Sequence, residues 1–221
     1  MRDWRPCAIL ILLATLLLPQ IVHAQGDPSR GAQLSGQCEE CHGDAGENRI
    51  EGFPNLANQN YNYLVKQLRE IRTSARERYG EATRQQSAEA KALLRAKRSN
   101  EIMDPFVVEL SDEDIHDLSA YYADQACNAV MVGAPLPAPK IEARCQVCHG
   151  KFGITKNSNI PNIAGQDALY LEQQLLNFKT ATEMAGGAGN RRAGIMESQV
   201  RMLSDQDIKD ISLYYARLPC R

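Results

Sequence analysis

The sequence predicts an all-α protein built from two tandem helical domains, and three observations carry that reading. First, the chain repeats itself: Phe53-Pro54-Asn55-Leu56-Ala57-Asn58-Gln59 returns as Ile160-Pro161-Asn162-Ile163-Ala164-Gly165-Gln166, with further matched segments on both sides. Second, the apolar residues that follow, within Tyr63–Leu68 and Tyr170–Leu175, recur at helical rather than alternating spacing. Third, Val132 to Pro139 alternates proline with small residues and cannot be helical, so it separates the halves. The expected boundaries are 25–130 and 141–221 for the domains and 131–140 for the linker.

The N-terminus opens with Arg2 and Arg5, an apolar run from Ala8 to Leu18, and Val22-His23-Ala24, the small-residue pattern of a signal-peptidase site. Residues 1–24 are therefore expected to be a signal peptide. The run is shorter than the roughly 20 residues a membrane span needs, and no later segment is long and apolar enough. Export leaves 23 basic and 26 acidic side chains, a formal charge of −3, and a soluble chain in the periplasm with no stable membrane span.

Each half then presents Cys-x-x-Cys-His, as Cys38-Glu39-Glu40-Cys41-His42 and Cys145-Gln146-Val147-Cys148-His149. That spacing is the covalent attachment signature of c-type haem. On one helical turn two thiols face the two vinyl groups of a porphyrin, and the histidine that follows meets the iron. One copy would also read as a zinc half-site or a redox pair, but two copies ending in histidine point to two haem c groups. Gly31 to Leu34 leaves room for a short helix before the first motif; at the matching place the second half has Pro137 and Pro139, so its helix is short or missing.

After the middle helix the first half carries extra sequence, a charged helical insertion at about 72–100. Lys66 to Arg98 holds ten Lys/Arg against four Asp/Glu. Such a run is either a solvated helix face or a docking face, with Arg72, Arg76, Arg95 and Arg98 exposed for an acidic partner. Met103 and Met196 then stand seven residues before Leu-Ser-Asp-x-Asp-Ile in both halves. Ser111 with Asp114, and Ser204 with Asp207, are arranged as capping boxes that start the last helices. Ile115, Leu118 and Tyr122, and likewise Ile208, Ile211 and Tyr215, form apolar stripes for packing.

An electron-carrying haem needs a second axial ligand opposite the motif histidine, commonly methionine or histidine. After export only His42, His116 and His149 remain, so two bis-histidine irons are excluded. His116 aligns with Lys209 and is read as a surface residue. The repeat selects Met103 and Met196 as the distal ligands, since Met131, Met184 and Met202 hold no position shared by both halves. Cys127 and Cys220 also occupy matching positions; in an oxidising compartment they most simply pair, the alternatives being two free thiols or a link between molecules.

In its order of motifs, Cys-x-x-Cys-His, Pro-Asn-Leu/Ile, Tyr-Leu-x-x-Gln-Leu, Met, Leu-Ser-Asp-x-Asp-Ile and Tyr-Tyr, the chain resembles the class I cytochromes c. Doubled behind a signal peptide, it is similar to the periplasmic dihaem carriers of the cytochrome c-four type. The resemblance implies two domains related by a pseudo-twofold axis, each wrapped around one haem with His/Met iron, and haem propionates near the interface. It also implies that the Pro54 carbonyl bonds to His42 and the Pro161 carbonyl to His149, fixing each ring. The function expected is single-electron transfer between redox proteins: a membrane complex, a terminal oxidase, or a periplasmic dehydrogenase or reductase. No catalytic residue and no nucleic-acid partner are expected. The alternative is a haem subunit or catalytic component of a periplasmic oxidoreductase, acting on sulfur compounds or peroxide.

Overall fold

The computed structural model describes residues 26–48, 50–79, 98–128, 133–183 and 191–220. The expected signal peptide and most of the charged insertion lie outside the described residues, Arg95 with them. Among the described residues the only regular secondary structure is helical. The first half runs α1 (Pro28–Leu34), α2 (Gly36–His42), α3 (Tyr61–Tyr79), α4 (Asp104–Val107) and α5 (Asp112–Asp124). The second runs α6 (Glu142–His149), α7 (Ala168–Glu183), α8 (Gly194–Val200) and α9 (Asp205–Ala216).

In each half the long middle helix packs against the last one, α3 on α5 and α7 on α9. Ile115, Leu118 and Tyr122 are nearly or wholly buried on the α5 face, and Ile208, Ile211 and Tyr215 on the α9 face. Leu64, Leu118 and Tyr122 share one cluster with Cys38 beside it, and Ile71, Ala75 and Val107 share another with Met103 at its edge. In the second half Ile211, Tyr214 and Tyr215 gather around Cys145, while Phe178, Val200, Leu203 and Ile208 hold Met196. The same apolar stripe thus builds the floor under each motif. Both last helices start at reciprocal capping boxes, in which the serine hydroxyl accepts the N3 amide and the N3 aspartate accepts the serine amide.

α1 has no counterpart among the described residues of the second half, where Pro137 and Pro139 deny the backbone its helical hydrogen bonds. Leu136 from this proline-rich segment packs instead on the Tyr214 cluster, and Arg217 donates to the Ala134 carbonyl at 3.3 Å. The described part of the segment is therefore fastened to the second half.

Two expectations are corrected. Arg98 is not an exposed docking residue; it is 8% exposed and lies between the halves. Arg72 is half-buried and donates to the Leu110 carbonyl, whereas Arg76 is exposed as expected and donates to the Val108 carbonyl, because the turn after α4 leaves those acceptors uncovered. His116 is not a plain surface residue either. It is half-buried between α3 and α5, bonded through Nδ1 to the Tyr61 hydroxyl and through Nε2 to Arg69 at 3.0 Å. Since arginine only donates, Nε2 must accept, which fixes the Nδ1–H tautomer.

Candidate functional site

α2 and α6 each end at the motif histidine because the next residue is a glycine with positive φ, Gly43 at 77° and Gly150 at 78°. A side chain at either would run into the backbone two ångströms away, at the Glu47 or Ile154 carbonyl. The helix therefore stops with the imidazole at its end. In the first half His42 Nδ1 donates to the Pro54 carbonyl at 3.0 Å, and in the second His149 Nδ1 donates to the Pro161 carbonyl at 2.9 Å. With Nδ1 carrying the proton, Nε2 keeps its lone pair. Burial pushes both imidazoles below their ordinary pKa, against the pull of the proline carbonyl, so the neutral, ligating form prevails.

Met103 directs its Sδ to within 3.5 Å of His42 Nε2. A neutral imidazole nitrogen and a thioether sulfur thus face each other, with the Phe53 ring edge-on to His42 at 6.3 Å. Met196 lines the same cavity as His149 but makes no comparable contact with it. Cys38, Cys145 and Cys148 open onto this cavity, and Cys41 sits half-buried on α2 next to His42. Burial raises the thiol of Cys38 and pushes that of Cys145 up to about 11, so neither is a ready thiolate ligand for a metal ion. No three His, Cys, Asp or Glu side chains among the described residues come together to hold a metal ion directly. Paired thiols, an imidazole lone pair, an opposed thioether and largely apolar walls fit a flat, covalently held macrocycle that supplies the remaining iron ligands itself.

The cavity, about 800 Å³, runs continuously from the first half to the second. Its middle is a polar seam that repeats itself in reverse. The Asn55 amide donates to Gln166 Oε1 at 2.6 Å, and the Asn162 amide to Gln59 Oε1 at 2.8 Å. Gln166 Nε2 returns to the Asn55 carbonyl at 3.0 Å, and Gln59 Nε2 to the Asn162 carbonyl at 2.8 Å. Asn55 Nδ2 donates to the Gly165 carbonyl and Asn162 Nδ2 to the Asn58 carbonyl. A few residues away Cys127 and Cys220 are joined as a disulfide with Cα atoms 5.7 Å apart, packed on Ala57.

This seam escaped sequence reasoning, although its residues lie inside the repeated segments. So did Arg191 and the inward placement of Arg98, which the repeat aligns five residues before Met196 and Met103. The signal available was the recurrence of polar side chains at positions where a single domain has no partner for them.

The sequence pattern of the cytochrome c family matches residues 28–124 and again 140–218. The chain is 30% identical to cytochrome c4 of Pseudomonas aeruginosa over 218 residues, which cover 93% of this chain and 96% of that protein. It is 28% identical to the thiosulfate dehydrogenase electron acceptor of Stutzerimonas stutzeri, covering 90% of this chain and 85% of that one. Its fold is similar to the crystal structure of reduced cytochrome c4 from Pseudomonas stutzeri, with a TM-score of 0.65, 25% identity, and 87% of this chain and 99% of that one covered.

Proposed function

From the chain's membership of the cytochrome c family, to which it belongs through two tandem domains of the cytochrome c4 type, we propose that it is a dihaem electron carrier of the periplasm. Bound haem supplies the one-electron exchange of its iron. The chain's own residues do the rest. Cys38 and Cys41, and Cys145 and Cys148, would hold the two haem c groups as thioethers. His42 and His149 would each give an imidazole nitrogen to an iron, each kept in one tautomer by Pro54 or Pro161. Met103 and Met196 would supply the second protein ligand to each iron, leaving no ligand position to a substrate.

The observation that carries this reading is the facing of Met103 Sδ and His42 Nε2 across 3.5 Å, at the end of an imidazole anchored by Pro54. Two donors of that kind suit iron whose charge changes while its ligands do not. Residues 1–24 serve as the export signal, 25–130 and 141–221 as the haem domains, and 131–140 as their connection. No helix among the described residues is long and apolar enough to cross a membrane. Partners are then redox proteins met at the surface. A second reading, the haem partner of a sulfur-compound dehydrogenase, is favoured by one observation, the likeness over 90% of the chain to a thiosulfate dehydrogenase electron acceptor.

Met103→Ala and Met196→Ala test the assignment. Each is expected to open one haem, and only one, to carbon monoxide, read from the optical spectrum of the reduced holoprotein. A variant that keeps both haems closed removes its methionine from the ligand set.

A further inference from the structure

The repeat aligns residues 33–51 with 140–158 without a gap, and the two stretches carry opposite charge. The first holds five acidic side chains against one basic, the second four basic against one acidic. Where the first half has Gln37, Asp44 and Glu51, the second has Arg144, Lys151 and Ser158. Each stretch contains a motif helix, α2 or α6, and the turn that follows it. The backbones agree even in their unusual residues, Ala45 at φ 53° and Phe152 at φ 62°. One scaffold thus carries two contrasting faces.

The charges stand in water. Glu40, Asp44 and Glu51 are exposed on the first face, and Arg144, Lys151 and Lys156 on the second. Among the described residues none of them forms an ion pair. Apolar side chains sit among them. On the basic face Val147 is 80% and Phe152 52% exposed. Phe152 holds a left-handed backbone that bulky residues rarely adopt, with its ring centroid 5.0 Å from the Lys151 ammonium. The matched Ala45 has no ring there, so the fold does not require one. An exposed aromatic among cations has the make-up of a docking patch, in which the ring supplies binding energy and the charges orientation. The acidic face has its own exposed apolar residue, Ile50, beside Glu51.

We propose that the basic face around Lys151, Phe152 and Lys156 docks the acidic face around Glu40, Asp44 and Glu51 of a second copy, in a transient head-to-tail contact. Charge complementarity selects this occupant, because the chain itself carries an acidic patch with an apolar residue on the matching backbone frame. The two faces belong to different halves, so the contact is heterologous and leaves each copy one face free for the next. Exposed ion pairs are weak and screened by salt, so the complex is short-lived and favoured at low ionic strength. Cys148 is exposed on the docking face, which places the second motif of one copy beside the first motif of the next. On the dihaem reading of the preceding subsection, one electron leaves a ferrous iron of one copy and reduces a ferric iron of the other across this contact.

Sedimentation velocity of the holoprotein over a range of concentrations tests the docking. The comparison is between about 0.01 M and about 1 M salt, where charges are felt over about 30 Å and about 3 Å. The sedimentation coefficient is expected to rise with protein concentration at low salt and to keep the monomer value at high salt. Lys151→Glu with Lys156→Glu should abolish the rise, and so should Glu40→Lys with Asp44→Lys. A mixture of these two double variants should recover it, since one keeps the acidic face and the other the basic one. Phe152→Ala, which leaves the charge alone, should weaken association about tenfold. Arg201→Glu with Lys209→Glu makes the same change in net charge at exposed positions outside both stretches, and should preserve association. The inference is overturned by a wild type that stays monomeric at low salt, by unchanged association in the Lys151/Lys156 or Phe152 variant, or by a mixture that does not associate. It is equally overturned if the Arg201/Lys209 control loses association as fully as the face variants. The dihaem reading fails separately, in the wild type, if its optical spectrum does not show two low-spin haems.

Discussion

Removing the disulfide by the double substitution Cys127→Ala and Cys220→Ala is expected to cost about 3–5 kcal/mol of unfolding free energy. The magnitude follows from what the bond closes. Its two cysteines are 93 residues apart in sequence, and the chain-entropy relation for a loop near that length gives about 4.7 kcal/mol at 25 °C. The thioethers do not pre-empt this gain, because the one pair inside the loop, Cys145 and Cys148, lies three residues apart and shortens it by very little. The native contacts around the bond change little: the cysteines are 6% and 7% exposed against Ala57, and the bond from Asn58 Nδ2 to the Cys220 carbonyl uses the backbone. Alanine at both sites avoids a stranded thiol or hydroxyl. Guanidinium unfolding of wild type and variant, both carrying their haems and followed by far-ultraviolet circular dichroism, measures the difference. A loss below about 1 kcal/mol with an unchanged slope would refute the reasoning, since it would mean that the bond does not restrain the unfolded chain. A second, earlier transition in the variant would show the domains parting before either unfolds.

Two further outcomes are expected. Gly153 has φ +77°, and a Cβ there would meet Tyr215 Cδ1 at 2.8 Å and the Ala164 nitrogen at 3.0 Å, so Gly153→Ala should cost about 1–3 kcal/mol in thermal unfolding. Ser111→Ala should cost about 1 kcal/mol at neutral pH. The Asp114 carboxyl is held below its ordinary pKa by the Ser111 hydroxyl and amide, with Arg30 adding to it. A lowered folded-state pKa gives stability that is complete above the unfolded value near 3.9 and lost as pH falls through the lower one. The difference between Ser111→Ala and wild type should therefore shrink below about pH 4 in urea titrations; a constant gap down to pH 2 would separate the cap from its carboxylate.

The parts of the molecule that sequence could reach are those with a local cause. Cys38 to His42 needs one helical turn and a stop at Gly43, and both are written in consecutive residues. The capping boxes at Ser111 and Ser204 likewise involve residues three apart. The seam does not work that way. Gln59 meets Asn162 across 103 positions, and nothing in an isolated Gln-x-Tyr context tells a seam residue from a solvated one. The basic stretch misled for the same reason: charge runs usually lie in water, but Arg98 sits at its end, where the chain turns inward toward Met103. His116 misled through its alignment with Lys209, an equivalence of position that says nothing of the Tyr61 and Arg69 side chains waiting on α3.

The duplication explains why the interface is polar and still specific. When one surface docks on its own copy, every donor that finds an acceptor is matched by a second bond from the other side, as with Asn55 to Gln166 and Asn162 to Gln59. The reciprocal bonds set register and orientation together, since a shift that breaks one breaks its twin. Their net contribution is modest, because water offers the separated domains the same hydrogen bonds. Closure therefore leans on the disulfide at one end of the seam and on the arginine–tyrosine pairs beside the cavity. The two fastenings differ in kind. The disulfide limits how far the domains can part, whereas the arginine–tyrosine bonds set how the two faces meet. A carrier assembled in this way keeps its two centres close through the first and in one mutual orientation through the second.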